Sequence, residues 1–158
     1  MSLLRPFKAQ DLFKFNNVNL DHWTETYSIS FYLNYLSQWP DLSFIQTSPN
    51  PTSPRVMGYV IGKAEGNESD TRPPTLHGHV TAITIAPEYR RLNMAKGLMN
   101  LLEKVSQEVY RGYFVDLFVR PSNDNAVNMY QRLGYSVYRV VKEYYQGGGV
   151  GGKDEDGY

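Results

Sequence analysis

The chain has 158 residues, 41% of them hydrophobic and 20% charged, which is enough apolar material for one domain with a buried core. Its 16 basic residues balance its 16 acidic residues, so the net charge gives no general attraction to nucleic acid or to an anionic membrane. The absence of cysteine excludes disulfides, thiolate metal sites and a cysteine nucleophile. No stretch approaches the roughly 20 apolar residues of a membrane span, and none resembles a signal peptide. We therefore expect a cytoplasmic protein.

The first third of the chain predicts one strand and two helices. A short strand covers residues 2–8, and the pattern of residues 9–20 indicates a helix with Asp11 near its start, where a carboxylate favours the helix dipole. A second helix over residues 28–40 carries a broad aromatic face and stops at Pro40. We expect these two helices to bind a partner protein, although the core is the better explanation for any single aromatic residue.

The rest of the chain alternates strands and helices, with Pro-rich or polar turns between them, the longest over residues 67–75. The later of the two predicted helices, residues 122–134, begins with Ser and Asn and ends with Gly134, residue types that commonly cap the two ends of a helix. In chain order the predicted elements are strands 42–48, 55–66 and 76–87, helix 93–109, strand 113–121, helix 122–134 and strand 135–146.

The order of the elements predicts the fold class. A run of antiparallel strands followed by β–α–β–α–β gives an α/β (α+β) domain with a mixed sheet and helices packed on it. We place this domain at residues 1–145. Residues 146–158 are rich in glycine and acidic residues, which is typical of a disordered tail.

The segment APEYRRLNMAKGLM, residues 86–99, has the pattern of a phosphate-binding turn. A strand ends, two arginines follow, and a helix begins whose free N–H groups and positive dipole end favour an anion. Asn93 stands where such turns usually place glycine, so we predict a positive φ there, because asparagine tolerates the left-handed region better than other residues with a side chain. The alternative is a solvated basic turn that binds nothing.

A second cluster lies in RPSNDNAVNMYQRLGY, residues 120–135. Asn123, Asn125 and Asn128 lie at the start of the predicted helix, and Tyr130 follows about two turns in. Taken alone, the asparagines are explained as helix caps and the tyrosine as a core residue.

Together the two clusters resemble the GNAT family of acetyl-CoA-dependent N-acetyltransferases, over roughly residues 2–145. Four segments resemble more closely the catalytic subunits of NatB-type N-terminal acetyltransferases: FNNVNLDHWTETY, FYLNYLSQWP, MGYVIGKAEG with HGHVTAITIAPEYRRL, and FVDLFVRPSNDNAVNMYQRLGYSVYRVVKEYY. The resemblance implies a GNAT fold, with a mixed, mostly antiparallel central sheet of six to seven strands flanked by about four helices. It also implies acetylation of the α-amine of proteins that begin with Met-Asp, Met-Glu, Met-Asn or Met-Gln.

Acetyl-CoA is the implied co-substrate, and the resemblance assigns residues to each part of it. Ile83 and Ile85 would lie beside the pantetheine arm through backbone bonds, and Asn123 and Tyr130 would lie near the thioester. The implied pyrophosphate loop is Arg90, Arg91, Asn93, Met94, Ala95 and Lys96.

The resemblance assigns a second set of residues to the peptide. Glu25 and Tyr27 match the loop that lines the peptide groove, and His79 and Thr81 match the strand near the substrate's second residue. Tyr144 and Tyr145 match a tyrosine pair that closes over the peptide backbone. For the substrate's methionine we expect an apolar pocket formed by Phe31, Tyr27 and the region of Leu20.

Removing the proton from the amine needs only modest help from the protein, because a peptide α-amine has a pKa of about 7.7–8.0 and a useful fraction of it is already neutral. His79, or Glu25 acting through water, is the candidate base, and the hydroxyl of Tyr130 is the candidate acid for the departing CoA thiolate. We expect no metal, because His77 and His79 have no third ligand near them in sequence.

The implied partners are a large helical-repeat auxiliary subunit, nascent polypeptide N-termini and, through the complex, the ribosome; no direct nucleic-acid or membrane binding is expected. Two other functions stay open. One is a related acetyltransferase that modifies lysines or a small amine, and the other is a non-catalytic subunit that binds acyl-CoA. The family's last strand is not visible in the sequence, and the acidic segment after the glycines resembles the approach to it.

Overall fold

The strands and helices of the computed structural model are described for residues 1–67, 75–145 and 154–158. The chain divides into two units, residues 1–116 and 117–158. Short 3-10 turns occur at Ala9–Phe13, Pro40–Leu42 and Pro87–Tyr89. The strands and α-helices are β1 (Leu3–Pro6), α1 (Ile29–Gln38), β2 (Ser43–Thr47), β3 (Val56–Glu65), β4 (His77–Ile85), α2 (Met94–Glu108), β5 (Val115–Leu117), α3 (Asp124–Arg132), β6 (Val141–Tyr145) and β7 (Glu155–Gly157).

The main sheet has the order β1-β2-β3-β4-β5, and its first three pairings are antiparallel. Beside β4, the Tyr113 N–H donates to the Leu76 carbonyl and the Gly78 N–H to the Phe114 carbonyl. These bonds advance along both segments together, as in parallel strands. A separate antiparallel pair joins β6 and β7. The predicted class of mixed α+β sheet is confirmed, with five and two strands and three α-helices among the described residues.

Two helices of the first unit cover opposite faces of the main sheet. Ile61 belongs to the buried cluster that also holds Tyr32 and Tyr35 of α1. The next residue, Gly62, points the other way, and a Cβ placed there would lie 2.8 Å from Leu102 Cδ1 of α2. Because side chains alternate along a strand, α1 and α2 pack on different sides.

The predicted helix over residues 9–20 is wrong. Only Ala9–Phe13 is helical, as a 3-10 turn, and its Asp11 accepts hydrogen bonds from the Lys8 N–H at 2.8 Å and from the Arg5 guanidinium. Asparagines further on bond to the distant strand β3: Asn17 Nδ2 donates to the Val56 carbonyl at 2.9 Å, and Asn19 Oδ1 accepts from the Tyr59 hydroxyl at 2.7 Å. Side-chain bonds of this kind compete with helix formation.

Two predicted strands are much shorter in the structure. Strand 113–121 is reduced to Val115–Leu117, which is half-buried rather than buried on both faces. Beyond it, Val119 exchanges two backbone hydrogen bonds with Tyr158, at 2.9 and 3.0 Å. Strand 135–146 begins only at Val141. Local patterns missed these ends, because the backbone partners are set by residues far away in sequence.

The acidic C-terminal segment is not a disordered tail at residues 155–157, where it forms β7; residues 146–153 lie outside the described part of the chain. Its acidic side chains accept bonds from backbone N–H groups: Glu155 Oε1 from Ser122 at 2.8 Å and Asp156 Oδ1 from Glu143 at 3.0 Å. The bond from Ser122 lowers the pKa of the Glu155 carboxyl. The domain boundary at residue 145 stays a prediction.

Candidate active site

The turn that precedes α2 has the backbone conformation of an anion-binding turn. β4 ends where the Ala86 N–H donates to the Met57 carbonyl at 2.9 Å, and the chain then turns through Pro87–Tyr89. Asn93 has φ 58° and ψ 16°, so the predicted left-handed conformation is confirmed. Arg91 also has a positive φ, 62°. Two left-handed residues in three reverse the chain sharply enough for α2 to begin at Met94.

The first turn of α2 presents unsatisfied backbone donors. Its first i to i−4 bond runs from the Gly97 N–H to the Asn93 carbonyl, at 3.1 Å, and the Asn93 side chain makes no capping bond. Within the described residues, the N–H groups of Met94, Ala95 and Lys96 therefore have no acceptor. Three such donors at the positive end of a 15-residue helix are the groups that favour a phosphate, and binding there stays a prediction.

The two arginines of the turn differ. The guanidinium of Arg90 pairs with Asp21, and its Nε donates to the Ile85 carbonyl at 3.2 Å, so it is directed towards the segment before α1 rather than towards the start of α2. Arg91 is exposed and has no ion-pair partner among the described residues. Arg91 is thus the better placed of the two to meet an anion.

Asn93 gives a direct test of the turn. Asn93→Gly removes a side chain at a left-handed residue, so we expect affinity for CoA to stay the same or to rise up to a few-fold, because glycine reaches this φ at no steric cost. Asn93→Val, which is β-branched, should weaken CoA binding by straining the same backbone. Titration calorimetry with CoA measures both, and a loss of affinity in the glycine variant would mean that the asparagine side chain itself binds the ligand.

The backbone N–H and C=O groups of Ile83 and Ile85, on β4, point away from β3. Because the Ala86 N–H bonds to β3, alternation directs the N–H and C=O of Ile85 and Ile83 to the opposite edge. The bond from Arg90 to the Ile85 carbonyl lies on this outer edge. Backbone bonding to a pantetheine arm remains a prediction, and the exposed edge is the geometry it requires.

A β-bulge lies in the middle of β4. Ile61 pairs with Ala82 and Gly62 with Val80, so Thr81 is an extra residue without a direct partner on β3. Its Oγ1 donates to the hydroxyl of Tyr35 at 3.1 Å, which directs the side chain to the α1 side of the sheet. Bulges often occur beside active sites, where they redirect a side chain.

His79 is 8% exposed, and its Nδ1 lies 2.8 Å from Oδ1 of Asp116 on the neighbouring strand β5. His77 lies beside the same carboxylate, with Nε2 3.5 Å from Asp116 Oδ2 and 3.6 Å from Glu65 Oε2. Lys63 pairs with Glu65; this bond and the charges of Lys63, His79 and His77 lower the pKa of the Glu65 carboxyl despite the opposing effect of burial. Asp116 was not predicted as a site residue, because it follows Val115 in what read as a buried strand.

Tyr27 and Phe31, two of the residues predicted for the peptide side, form an aromatic stack with Tyr35. Tyr27 stacks on Phe31 with ring centroids 4.2 Å apart, and Phe31 stacks on Tyr35 at 4.5 Å. The Tyr27 N–H donates to the hydroxyl of Tyr32 at 3.1 Å, which fixes the loop before α1. Glu25 is exposed on that loop. The rings of α1 are thus mostly core residues, as the simpler interpretation of the sequence held.

A cavity of about 340 Å³ opens beside this stack, between the 3-10 turn at Ala9–Phe13 and the loop before α1. Its lining is mainly apolar, with two asparagines and a threonine. Leu20, expected near the methionine pocket, is 84% exposed and is not part of the lining. The lining residues are Leu12, Phe13, Phe15, Asn16, Asn19, Thr26, Tyr27, Ile29 and Tyr32.

In the second unit, Asn123 and Tyr130 are placed by α3. Asn123 is the N-cap, and its side chain accepts from the Ala126 N–H at 3.2 Å, so the capping alternative is confirmed for it. Tyr130 is 9% exposed, and its hydroxyl has no hydrogen-bond partner in the described ranges. Burial raises the pKa of the Tyr130 hydroxyl above its ordinary value, so the group keeps its proton at neutral pH and has one to donate.

Tyr144 and Tyr145 lie on β6 and pack edge to face, 4.8 Å between centroids. Tyr144 stacks on Phe118 at 4.3 Å, and the guanidinium of Arg120 lies 4.1 Å from the ring centre of Tyr145. Both rings are therefore held inside their own unit by neighbours that the sequence pattern did not indicate. Contact with a peptide backbone remains a prediction for this pair.

No three side chains among the described His, Asp and Glu residues come together as a metal site. No helix in the described ranges is both long and apolar enough to cross a bilayer.

Comparison with known proteins identifies what this chain is similar to. Residues 11–135 match the acetyltransferase (GNAT) family. The chain is 50% identical to the N-terminal acetyltransferase B complex catalytic subunit NAA20 of Arabidopsis thaliana, over 99% of this chain and 82% of that protein. It superposes on Chaetomium thermophilum Naa20 in complex with a bisubstrate analogue with a TM-score of 0.86 at 39% identity, covering 99% of this chain and 83% of the other. The NatB acetyltransferase complex bound to CoA and MES gives 0.80 at 36% identity, covering 98% and 94%.

Proposed function

This chain belongs to the acetyltransferase (GNAT) family, and we propose that it transfers the acetyl group of acetyl-CoA to the α-amine of proteins that begin with Met-Asp, Met-Glu, Met-Asn or Met-Gln. The observation that carries the proposal is the start of α2, where a left-handed Asn93 leaves three backbone donors to hold the pyrophosphate of acetyl-CoA. Its NatB-type relatives support the choice of acceptor.

The donor side uses the turn and the outer edge of β4. The N–H groups of Met94, Ala95 and Lys96 bind the pyrophosphate, with Arg91 adding charge from the exposed side. Arg90 joins them only if the anion draws it from Asp21. The backbone of Ile83 and Ile85 holds the pantetheine arm, and Asn123, whose Oδ1 is used as a cap, offers its Nδ2 near the thioester.

The acceptor side needs a base, an acid and a binding groove. The amine nitrogen attacks the thioester carbon, an N–C bond forms, and the C–S bond breaks. His79, or Glu25 through water, takes the proton that the amine loses, and the Tyr130 hydroxyl gives a proton to the departing thiolate. Thr81 and His79 lie on the α1 side near the second residue, Tyr27 and Phe31 near the methionine, and Tyr144 and Tyr145 over the peptide backbone.

We further propose that the chain works as the catalytic subunit of a heterodimer with a large helical-repeat subunit, in the cytoplasm, on nascent N-termini at the ribosome. We expect the rings of α1 to contribute little to the partner surface, because they are largely occupied by the core. Large apolar side chains near the first 3-10 turn and on α1 are exposed instead. These are Phe13, Leu20, Ile29 and Leu33. No direct binding to membrane or nucleic acid is part of the proposal.

The test is acetylation by the chain co-expressed with its auxiliary subunit. Peptides that start with Met-Asp, Met-Leu and Ser-Ser are each incubated with acetyl-CoA, and the thiol of the CoA released by acetyl transfer is measured. We expect kcat/KM for Met-Asp to exceed the other two by at least about 100-fold, as for a site that rejects substrates lacking a hydrogen-bonding group. A preference for another peptide or for a lysine peptide would favour a related acetyltransferase, and CoA binding without turnover would favour a non-catalytic subunit.

A further inference from the structure

Asp116 makes a contact with His79 that gives it a role beyond the assigned site residues. We propose that Asp116 is the positioning residue for His79, and that it fixes the neutral imidazole with its proton on Nδ1 and its lone pair on Nε2. The inference rests on the proposed function, since it assigns His79 the part of the base in acetyl transfer. His77, His79 and Asp116 all belong to the first unit.

The tautomer follows from which of the two contacting groups can donate a proton and which can only accept one. The contact between His79 Nδ1 and Asp116 Oδ1, at 2.8 Å, is a full hydrogen bond. An ionised carboxylate can only accept, so Nδ1 must carry the proton. A neutral imidazole has one N–H, and Nε2 is therefore the acceptor. Because His79 is 8% exposed, the ring has little room to adopt another orientation.

The second oxygen of the Asp116 carboxylate faces His77. Oδ2 lies 3.5 Å from His77 Nε2, and the ring of His77 stacks on Phe114 with centroids 4.6 Å apart and planes 7° from parallel. His77 Nδ1 donates to the Thr75 carbonyl at 2.6 Å, which fixes that ring in turn. Asp116 thus lies between the two imidazole rings, and its firm hydrogen bond is the one to His79.

This arrangement separates the two roles considered for His79. An Nε2 with a lone pair takes a proton from the amine but has none to give to the carboxylate of a second-residue Asp. When Nε2 takes that proton, the resulting imidazolium stays beside the negative Asp116, as in other pairs of a base and an orienting carboxylate. The Nδ1 proton stays on His79 throughout. The Nε2 lone pair therefore suits His79 to the role of base for the amine.

The tautomer is measured directly by long-range ¹H–¹⁵N NMR spectra of the complex, with only this chain labelled at histidine. The chain has three histidines, so His77→Gln and His22→Gln assign the signals by elimination. At an alkaline pH of about 8.5 we expect His79 to show a protonated Nδ1 and an unprotonated Nε2. In Asp116→Ala this pattern should give way to a mixture. A protonated Nε2 in the wild type would overturn the proposal.

Kinetics supply the second measurement. Asp116→Ala should lower kcat on a Met-Asp peptide by about 10- to 100-fold, with KM for acetyl-CoA unchanged, because only the base is disturbed. Asp116→Asn preserves volume, and we expect a similar loss, since its NH2 group favours the wrong tautomer. Glu108→Gln, an exposed carboxylate on α2, is the matched control and should keep full activity.

The NMR spectrum and the kinetics can each contradict the proposal independently of the other. Wild-type kcat in both Asp116 variants, with the expected tautomer in the wild type, would overturn the catalytic role of Asp116. If Asp116→Ala does not fold, Asp116→Asn and the wild-type spectrum decide. If the wild-type complex acetylates no α-amine, the proposed function fails and the role of Asp116 in it fails too, while the spectrum still reports whether Asp116 sets the tautomer.

Discussion

Tyr130→Phe is expected to lower kcat by about 100-fold and to leave the Kd for acetyl-CoA within about two-fold, the loss typical of removing a general acid. The change deletes one hydroxyl and keeps the ring, which is buried at 9% exposure and packs edge to face on Tyr135 at 6.0 Å. Fold and cofactor binding should therefore persist. Stopped-flow acetyl transfer and calorimetry with acetyl-CoA measure the two quantities separately.

The pH dependence of Tyr130 has a definite sign. Burial raises the pKa of its hydroxyl above the ordinary value, so the proton is present throughout the neutral range and the acid is not lost as pH rises towards 9. The matched control is Tyr138→Phe, which removes a hydroxyl from a side chain that is 96% exposed. We expect wild-type kcat from the control. Equal kcat in both variants would remove Tyr130 as the acid.

Ala95→Asp is expected to raise the Kd for acetyl-CoA by at least about 100-fold. The substitution places a carboxylate in the first turn of α2, among the three backbone donors proposed to hold the pyrophosphate. Two unit charges about 5 Å apart at an effective dielectric constant of about 20 repel by roughly 3 kcal/mol, and each 1.4 kcal/mol is about ten-fold in affinity. Calorimetry with CoA measures the effect.

The same substitution should stabilise the ligand-free protein slightly. A negative charge at a helix N-terminus contributes about 0.5 kcal/mol, or roughly 1–2 °C in Tm for a chain of this size. Opposite signs for stability and binding distinguish a lost anion site from a damaged fold. Asn100→Asp, exposed on the same helix beyond its first turn, should change neither quantity much. Unchanged CoA affinity in Ala95→Asp would place the phosphate elsewhere.

Local sequence chemistry was enough to predict the backbone of the turn before α2. Asn93 occupies a position where a turn needs a positive φ, and asparagine is the residue with a side chain that best supplies it, so its conformation could be predicted from its identity and place. The N-cap of α3 at Asn123 and the stop at Gly134, with φ 97°, follow from equally local rules.

Features set by distant residues could not be read from the sequence. Asp116 meets His79 only because β5 lies beside β4, and Arg90 meets Asp21 across 69 positions. The first predicted helix failed for the same reason, since Asn17 and Asn19 bond to β3 instead of extending it. β7 was missed because composition described the acidic segment as a tail, while Glu155 and Asp156 accept bonds from backbone N–H groups far from them in sequence.

The most direct test of the central proposal is the position of the acetyl group on a product peptide. A peptide that begins with Met-Asp and contains an internal lysine is incubated with acetyl-CoA and the co-expressed complex, and tandem mass spectrometry locates the added group. We predict acetylation of the α-amine alone. Acetyl on the lysine, or no acetylated product while CoA still binds, would contradict the account.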